Sequence, residues 1–380
     1  MRYTVVSTIA TLLVLVLAVF LCLIGTVDLA YAHVPRVATT WTMGSIDMVV
    51  AWAGRPTPER DAARTMYLCP ARTARENSKS TLDTSLTRYS YNGELPVLIR
   101  RAFAYGTPWL RQIHIVMPDE CTPPDDLIRE ALGETYSILG PRVSIHRDST
   151  ILPATAVPSF SSHPKEANLD HIPGLSEQFV YANNDMFLNR PTPVDLFFSY
   201  NGCPRYRLND WQVGCSRYDD HLACKGHRLT VYDWIQHNTA SMFWTAPVVA
   251  GNPRAYQCLQ LEHQMKPLTR SGYRRARAMF PAEFTQLTNQ RFRSDADFSP
   301  TILIPNLEMV AGTAILDTQT PVRHQVYLAL DMVPRMHRNV LVLLGRLQRC
   351  QLLCLNNANR KWHAAWIARN FDIDSLVCQT

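Results

Sequence analysis

An apolar run, Phe179-Val180-Tyr181-Ala182, ends in Asn183, Asn184 and Asp185 before the chain turns apolar again at Met186 and stops at Pro191. Three oxygen-bearing side chains at the end of a buried-type strand suit a hard cation such as Mg²⁺, which takes oxygen ligands and shares them with substrate phosphates. Asn and Asp are also favoured in turns, where they bond their own backbone. Spacing alone leaves both readings open, so the elements around the cluster must decide.

Residues 45–52, SIDMVVAW, form a β-branched strand closed by Gly54 and Pro56. Residues 55–87 read as irregular chain with a short helix. Leu95, Leu98, Ile99, Ala102 and Phe103 recur at helical spacing within 93–106, and the strand RQIHIVM follows at 111–117. Two further strands are expected, one within 136–148 and one at 177–183. Such alternation predicts an α/β fold, a mostly parallel sheet with helices on both faces. Ligands of these sheets bind outside the carboxyl ends of the strands, which is where Asn183–Asp185 falls. Residues 192–230 read as a Cys-rich insertion and 231–300 as mixed helix and loop. A long helical pattern covers 321–347, broken near Pro334, and the tail from Cys350 reads as strand, polar turn and helix.

The net charge of +6 on 380 residues is mild, with one denser basic patch at Arg270–Arg277. No nucleic-acid-binding module accompanies it, so nucleic acid is not an expected partner and anionic small molecules are. Tyr3–Val27 carries no charged side chain and exceeds the roughly 20 apolar residues that span a bilayer. A cleaved signal peptide is the alternative, since Ala30-Tyr31-Ala32 has small-residue character, but signal-peptide apolar cores are typically about 7–15 residues. The expected order is a short tail (1–4), a signal anchor (5–27), a stem (28–44) and a luminal domain (45–380), giving a single-pass type II protein of the Golgi or another secretory membrane. In that compartment Cys203, Cys215 and Cys224 are close enough in sequence to pair. A zinc site is disfavoured, because no Cys-x-x-Cys occurs.

Four ordered blocks resemble the Stealth family of sugar-1-phosphate transferases. The first is IDMVVAW, with Asp47 and Trp52. The second joins NGELPVLIRRAFAYGTPWLRQIHIV to PSFSSHPKEANLDHIPGLSEQFVYANNDMFLNRP. The third pairs EHQMKPLTRS with FPAEFTQLTNQRFRSDADFSP, and the fourth is CLNN at 354–357. The resemblance implies a nucleotide-sugar-transferase type of α/β domain. It implies transfer of a sugar-1-phosphate from a nucleotide-diphospho-sugar, such as UDP-N-acetylglucosamine, to a glycan or glycoprotein hydroxyl, with a nucleoside monophosphate released. Mg²⁺ or Mn²⁺ would assist, and the protein could work as a homodimer. On this reading His263 is the general base, Asp185 a metal ligand and catalytic group, and Arg291 and Arg293 clamp phosphate. Asn184 and Asn357 join Asp185 as metal ligands. Asp47, Trp52, Arg100, Glu166, Asn183 and Asn238 contact substrate, although Trp52 and Trp109 also have the character of core residues.

Several positions depart from the family pattern. Tyr91 stands where an Asp is usual, Pro96 where an Arg is usual, Asn184-Asp185 replaces a double acid, and Asn357 replaces a closing Asp. Each change removes a charge, and fewer carboxylates hold Mg²⁺ more loosely. Two alternatives therefore stand beside the transferase: a glycosyltransferase moving the sugar itself, and an inactive relative that binds glycans or partners an enzyme.

Overall fold

The computed structural model describes residues 45–76, 89, 91–107, 109–208, 230–253, 255, 257–318, 324–330, 349–356 and 366–367. The expected anchor and stem, Cys215, Cys224 and Asn357 lie outside these residues. Among the described residues no helix is long and apolar enough to cross a membrane, and Cys203 forms no disulfide.

β1 (Ile46–Ala51) runs down the middle of a five-stranded sheet and is buried throughout. β2 (Leu110–Met117) and β3 (Val143–Arg147) lie in parallel on one side of it, and β4 (Gln178–Asn183) lies in parallel on the other. β7 (Lys266–Thr269) closes the sheet antiparallel to β4. A strand covered on both faces reads as continuous apolar sequence, which explains MVVA. Met48 and Val50 pack against α2 (Glu94–Tyr105) and α3 (Asp125–Leu132) through Leu95, Leu98, Ile99, Leu127 and Ile128. Val49 and Ala51 face the opposite core. That core is built from α5 (Val231–Thr245), α6 (Arg270–Met279), α7 (Pro281–Thr288) and α8 (Pro300–Val310), through Phe243, Tyr273, Phe284, Leu303 and Leu307. Helices thus cover both faces, as the sequence pattern predicts.

After β4 the chain turns in two residues, Asn184 and Asp185, into β5 (Met186–Leu188), which leaves the main sheet. β5 pairs antiparallel with β10 (Leu352–Asn356), and β10 pairs in parallel with β9 (Gln325–Ala329). The turn therefore sits where the two sheets meet, and Leu355 N–H fixes it by donating to the Asp185 carbonyl at 2.9 Å. A separate two-stranded ribbon joins β6 (Arg205–Tyr206) in parallel to β8 (Ile315–Leu316).

Two expectations are corrected. Residues 58–76 form one 19-residue helix, α1, not an irregular segment with a short helix. Its buried anchor is Arg60, paired with Glu120 at 2.7 Å, so the apolar stripe that marks an amphipathic helix in sequence is weak here. Residues 325–329, expected to be helical, form β9, because β10 offers a parallel edge to pair with and tertiary pairing overrides local preference.

Candidate active site at the carboxyl edge of the sheet

Ala51 stands opposite Asn183 in the β1–β4 ladder, so both strands end at one edge. Tyr181 and Asn183 share a face there. The Tyr181 hydroxyl donates within reach of Asn183 Oδ1 (2.9 Å) and Glu166 Oε1 (3.1 Å). Glu166 ends the short helix α4 (Ser162–Glu166) and is buried. Burial, reinforced by the Glu166 charge, pushes the Tyr181 phenol well up, so it acts as a neutral donor.

Asp185 lies one turn further on. Its Oδ1 is buried and makes no hydrogen bond. Burial and then the charge of Glu94 push its carboxyl up to about 7. Glu94 opens α2 and is itself buried, accepting from Asn92 N–H at 2.8 Å and Asn92 Nδ2 at 3.1 Å. Gly93 makes that return possible, because φ of +82° is a conformation side chains disfavour. Burial raises Glu94 against those bonds. Tyr91 and Trp52 meet edge to face with centroids 5.9 Å apart, and the Tyr91 hydroxyl and Trp52 Nε1 are likewise buried without partners. Each such atom costs about 1–3 kcal/mol, a cost that calls for an explanation beyond packing.

The cationic half comes from the segment entering β7. Lys266 pairs across the ladder with Tyr181 and donates to the Glu262 carbonyl at 2.5 Å. Burial lowers its ammonium to about 8. His263 is exposed, and partial desolvation by neighbouring groups disfavours its charged form. That desolvation, with the charges of Lys266 and Arg293, lowers it to about 4. His263 meets Tyr327 of β9 edge to face at 5.4 Å. Asn356 Nδ2 donates to the Tyr327 hydroxyl at 2.7 Å. Burial pushes Tyr327 up to about 12, and the Asp185 charge adds to the shift. Tyr327 thus links His263 to Asp185.

The structure gathers Asp185, Asn183, Glu166, His263 and Arg293 at this edge, with Asn184 in the turn itself. Arg293 donates to Ser162 Oγ at 2.7 Å, and its charge reaches both His263 and Tyr181. Other expected residues lie elsewhere. Asp47 sits at the opposite end of β1, where its carboxylate accepts from Arg111 Nε (2.8 Å) and Nη2 (2.6 Å) and from Ser176 N–H (2.7 Å). It also faces His114 Nε2 at 3.2 Å. Opposed by burial but outweighed by these partners, its carboxyl falls to about 2. Arg100 donates to the carbonyls of Ala131 and Glu130 at the end of α3. Arg291 donates to the carbonyls of Pro158 and Thr155 and stacks on Tyr67 at 4.3 Å. Asn238 donates to the carbonyls of Asp295 and Asp297. In these contacts Asp47, Arg100, Asn238 and Arg291 serve the fold, with their polar atoms engaged by protein partners. Charge type and block position drew attention to them, but backbone carbonyls and structural ion pairs use the same chemistry. Trp52, by contrast, follows Ala51 at the carboxyl edge and is buried, with its unpartnered Nε1 and its ring against Tyr91.

Glu94, Lys266, Tyr327 and Asn356 are site residues that sequence reasoning missed. Glu94 and Lys266 lie inside quoted blocks, but an acid at a helix start and a lysine at a strand start have ordinary structural uses.

Among the described residues no group of three or more His, Cys, Asp or Glu side chains could hold a metal. A cation that takes most ligands from substrate phosphates needs only one or two protein carboxylates. The unbonded Oδ1 of Asp185 and the neighbouring charge of Glu94 fit that requirement.

Residues 88–206 match the family description "Stealth protein CR2, conserved region 2". The exopolysaccharide phosphotransferase CpsY of Mycobacterium tuberculosis is 27% identical over 304 residues, covering 77% of this chain and 50% of that protein. The capsular polysaccharide phosphotransferase SacB of Neisseria meningitidis serogroup A is 35% identical over 128 residues, covering 34% of this chain and 21% of that protein. The chain spans about half the length, or less, of these curated relatives. Among solved structures, an active-site mutant of LgtC superposes with a TM-score of 0.42 at 10% identity, covering 87% of this chain and 96% of that one. Conserved region 2 of the Stealth proteins thus spans α2 to β6 of this chain, and the proteins it is similar to include exopolysaccharide and capsular polysaccharide phosphotransferases.

Proposed function

We propose that the protein is a sugar-1-phosphate transferase acting on a glycan hydroxyl, with a nucleotide-diphospho-sugar as donor. The acceptor oxygen forms a bond to the sugar-bearing phosphorus, the bridging P–O bond breaks, and a nucleoside monophosphate leaves. The hydroxyl proton passes to His263, which is neutral at pH 7. Arg293 and Lys266 supply positive charge for the phosphate oxygens, and phosphoryl transfer depends mainly on such positioning and charge neutralisation. A divalent ion, held by Asp185 with Glu94 beside it, would neutralise further phosphate charge. The hydroxyl of Tyr181 holds Glu166 and Asn183 in register at the rim.

One observation carries this reading. Tyr327 lies edge-on to His263 and accepts from Asn356, whose neighbour Leu355 donates to the Asp185 carbonyl, so the β9–β10 pair brings a base and a carboxyl with an unpartnered oxygen to one sheet edge. The phosphotransferase names of the relatives support it.

The test is to incubate the protein with UDP-, GDP- and CMP-linked sugars, Mg²⁺ or Mn²⁺ and an acceptor oligosaccharide pool, and to identify the nucleotide released. From the UDP- and GDP-sugars, a monophosphate formed only with acceptor present is expected. A diphosphate would establish plain glycosyl transfer, and no release would establish a binding role.

A further inference from the structure

α5 turns Ile235, Gln236, Thr239, Ala240 and Phe243 into the core. Its outer side carries Trp234, His237, Ser241 and Trp244, spaced three, four and three apart, which puts them in one stripe. Trp234 and Trp244 are left 39% and 38% exposed. Both rings are braced where they stand. Trp234 meets His237 edge to face with centroids 5.8 Å apart, and Trp244 meets Phe243 in the same way at 5.2 Å. Exposed aromatic rings held by their neighbours offer a ligand contact area at little further cost in entropy.

The stripe starts beside the candidate transfer centre. In the first turn of α5 the Tyr232 hydroxyl meets Gln260, three residues before His263. Asn238 is four residues after Trp234 and its neighbour on the helix surface. It donates to the carbonyls of Asp295 (2.7 Å) and Asp297 (2.9 Å), and Ser299 N–H donates to Thr239 Oγ1 at 2.9 Å. The segment that carries Arg293 therefore runs against this helix, one turn from Trp234. Trp244 lies further from the centre, about 15 Å beyond Trp234 at 1.5 Å per residue.

We infer that this stripe is a docking track for the carbohydrate acceptor, holding the sugar units that follow the reacting one. The inference rests on the transferase reading above and adds how its acceptor is held. The chemistry of the face selects the ligand. A pyranose has a face of C–H groups, which stacks on the electron-rich face of an indole, and a rim of hydroxyls, which suit His237 and Ser241. The Ser241 hydroxyl donates to the His237 carbonyl at 2.9 Å and keeps its lone pairs for a sugar hydroxyl. α5 contains no Lys or Arg, and its one acid, Asp233, is spent on the capping box with Thr230. A nucleic acid or an anionic lipid surface thus finds no counter-charge on this helix. A partner helix would want apolar knobs along the whole stripe, but His237 and Ser241 occupy its middle.

The test is calorimetric titration of the whole protein without any nucleotide donor. The probes are size-fractionated neutral oligosaccharides of mannan and of dextran, from disaccharide to octasaccharide. In at least one series wild type should bind the octasaccharide about five-fold or more tighter than the disaccharide, the scale of an added aromatic contact. Trp234→Ala and Trp244→Ala should each remove that gain, and Trp244→Phe, which keeps a ring, should retain part of it. Ser241→Arg should also remove it, by standing between the rings. Ser241 is exposed and arginine is a good helix former, so that variant should melt with wild type and its lost binding cannot come from unfolding. No binding of any octasaccharide, binding that ignores length, or unchanged binding by Ser241→Arg would each overturn the proposal. A wild-type dimer that Ser241→Arg splits in sedimentation would overturn it too, by giving the face to a second copy of the chain. Octasaccharide binding through the stripe with no nucleotide released from any donor would sink the transferase reading alone. Nucleotide release without stripe-dependent binding would sink the track alone.

Discussion

Lys266 stands opposite Tyr181 in the antiparallel β4–β7 ladder. Because β7 runs against β4, it begins where β4 ends, and the segment feeding it delivers His263 to the Asn183–Asp185 turn. Directly opposed residues project to one face of a sheet, so this register places Lys266 beside the Tyr181–Glu166–Asn183 cluster. A slip of one residue would swing Lys266 to the other face. The cationic and the carboxylate halves of the site are thus fixed by a single strand pairing.

Asp185 is the first residue to change. Its buried, unbonded Oδ1 stabilises nothing in the folded chain, so Asp185→Asn should keep the melting temperature at or above wild type. Turnover should fall by about 100-fold or more, the scale on which removing one electrostatic group acts. Thermal unfolding and nucleotide release measured on the same preparation check both halves. Retained turnover would remove Asp185 from the site.

His263 gives a pH prediction. A general base works when deprotonated, and desolvation, Lys266 and Arg293 hold this imidazole near 4. His263 should therefore contribute no acid limb to the wild-type kcat/KM profile between pH 5 and pH 7, and a limb that Asp185→Asn abolishes there would belong to Asp185, whose carboxyl stands at about 7. Lys266→Met removes one of the charges that lower the base, so its pKa should rise toward the ordinary value of 6.5 and an acid limb should enter from below. His263→Ala should cost about 10²–10⁴ in turnover. A Lys266→Met profile that overlays wild type would exclude His263 as the base.

The main sheet was legible because β1, β2 and β4 are buried on both faces and read as apolar runs of strand length. The turn at Asn183–Asp185 was legible because polar residues interrupt such a run. Arg60 and the Lys266 register were not. Arg60 buries a charge where an amphipathic helix normally shows an apolar stripe, and cross-strand partners are set by tertiary pairing. Asp47 is a different case: it stands at the amino end of the strand read at 45–52, away from the carboxyl ends where ligands of such sheets bind, and only the family resemblance gave it a substrate role.

The arginines divide into two groups that kinetics can tell apart. Arg100 and Arg291 spend their donors on backbone carbonyls, so Arg100→Gln and Arg291→Gln should lower the melting temperature and leave KM for the donor within about two-fold, as expected for groups that bind no substrate. Arg293→Gln should raise KM or lower kcat by about ten-fold or more, the scale of one charge-assisted hydrogen bond to phosphate. Donor titrations on the three purified variants decide it. A KM effect at Arg291 matching that at Arg293 would restore Arg291 as a phosphate clamp.

The Asp47 network sets acid stability and leaves chemistry alone. Asp47 is fully buried, whereas the Arg111 side chain is 43% exposed. Arg111→Met strands a buried carboxylate, while Asp47→Asn releases an arginine that water can solvate, so the first should cost more: about 2 kcal/mol, reduced from the buried-pair range because Arg111 is half in solvent. The carboxyl is about 2 when folded against an ordinary 3.8. Its contribution is therefore complete above about pH 4 and lost as pH falls through about 2. The stability gap between wild type and Arg111→Met should be widest near pH 5 and shrink toward pH 2.5, read by urea unfolding across that range. Asp47 lies four residues before Ala51 on β1, roughly 13 Å from the carboxyl edge at 3.3 Å per residue, so kcat of the folded variant should stay within about two-fold of wild type. A gap that widened in acid would contradict the depressed carboxyl, and a lost kcat would place Asp47 back at the transfer site.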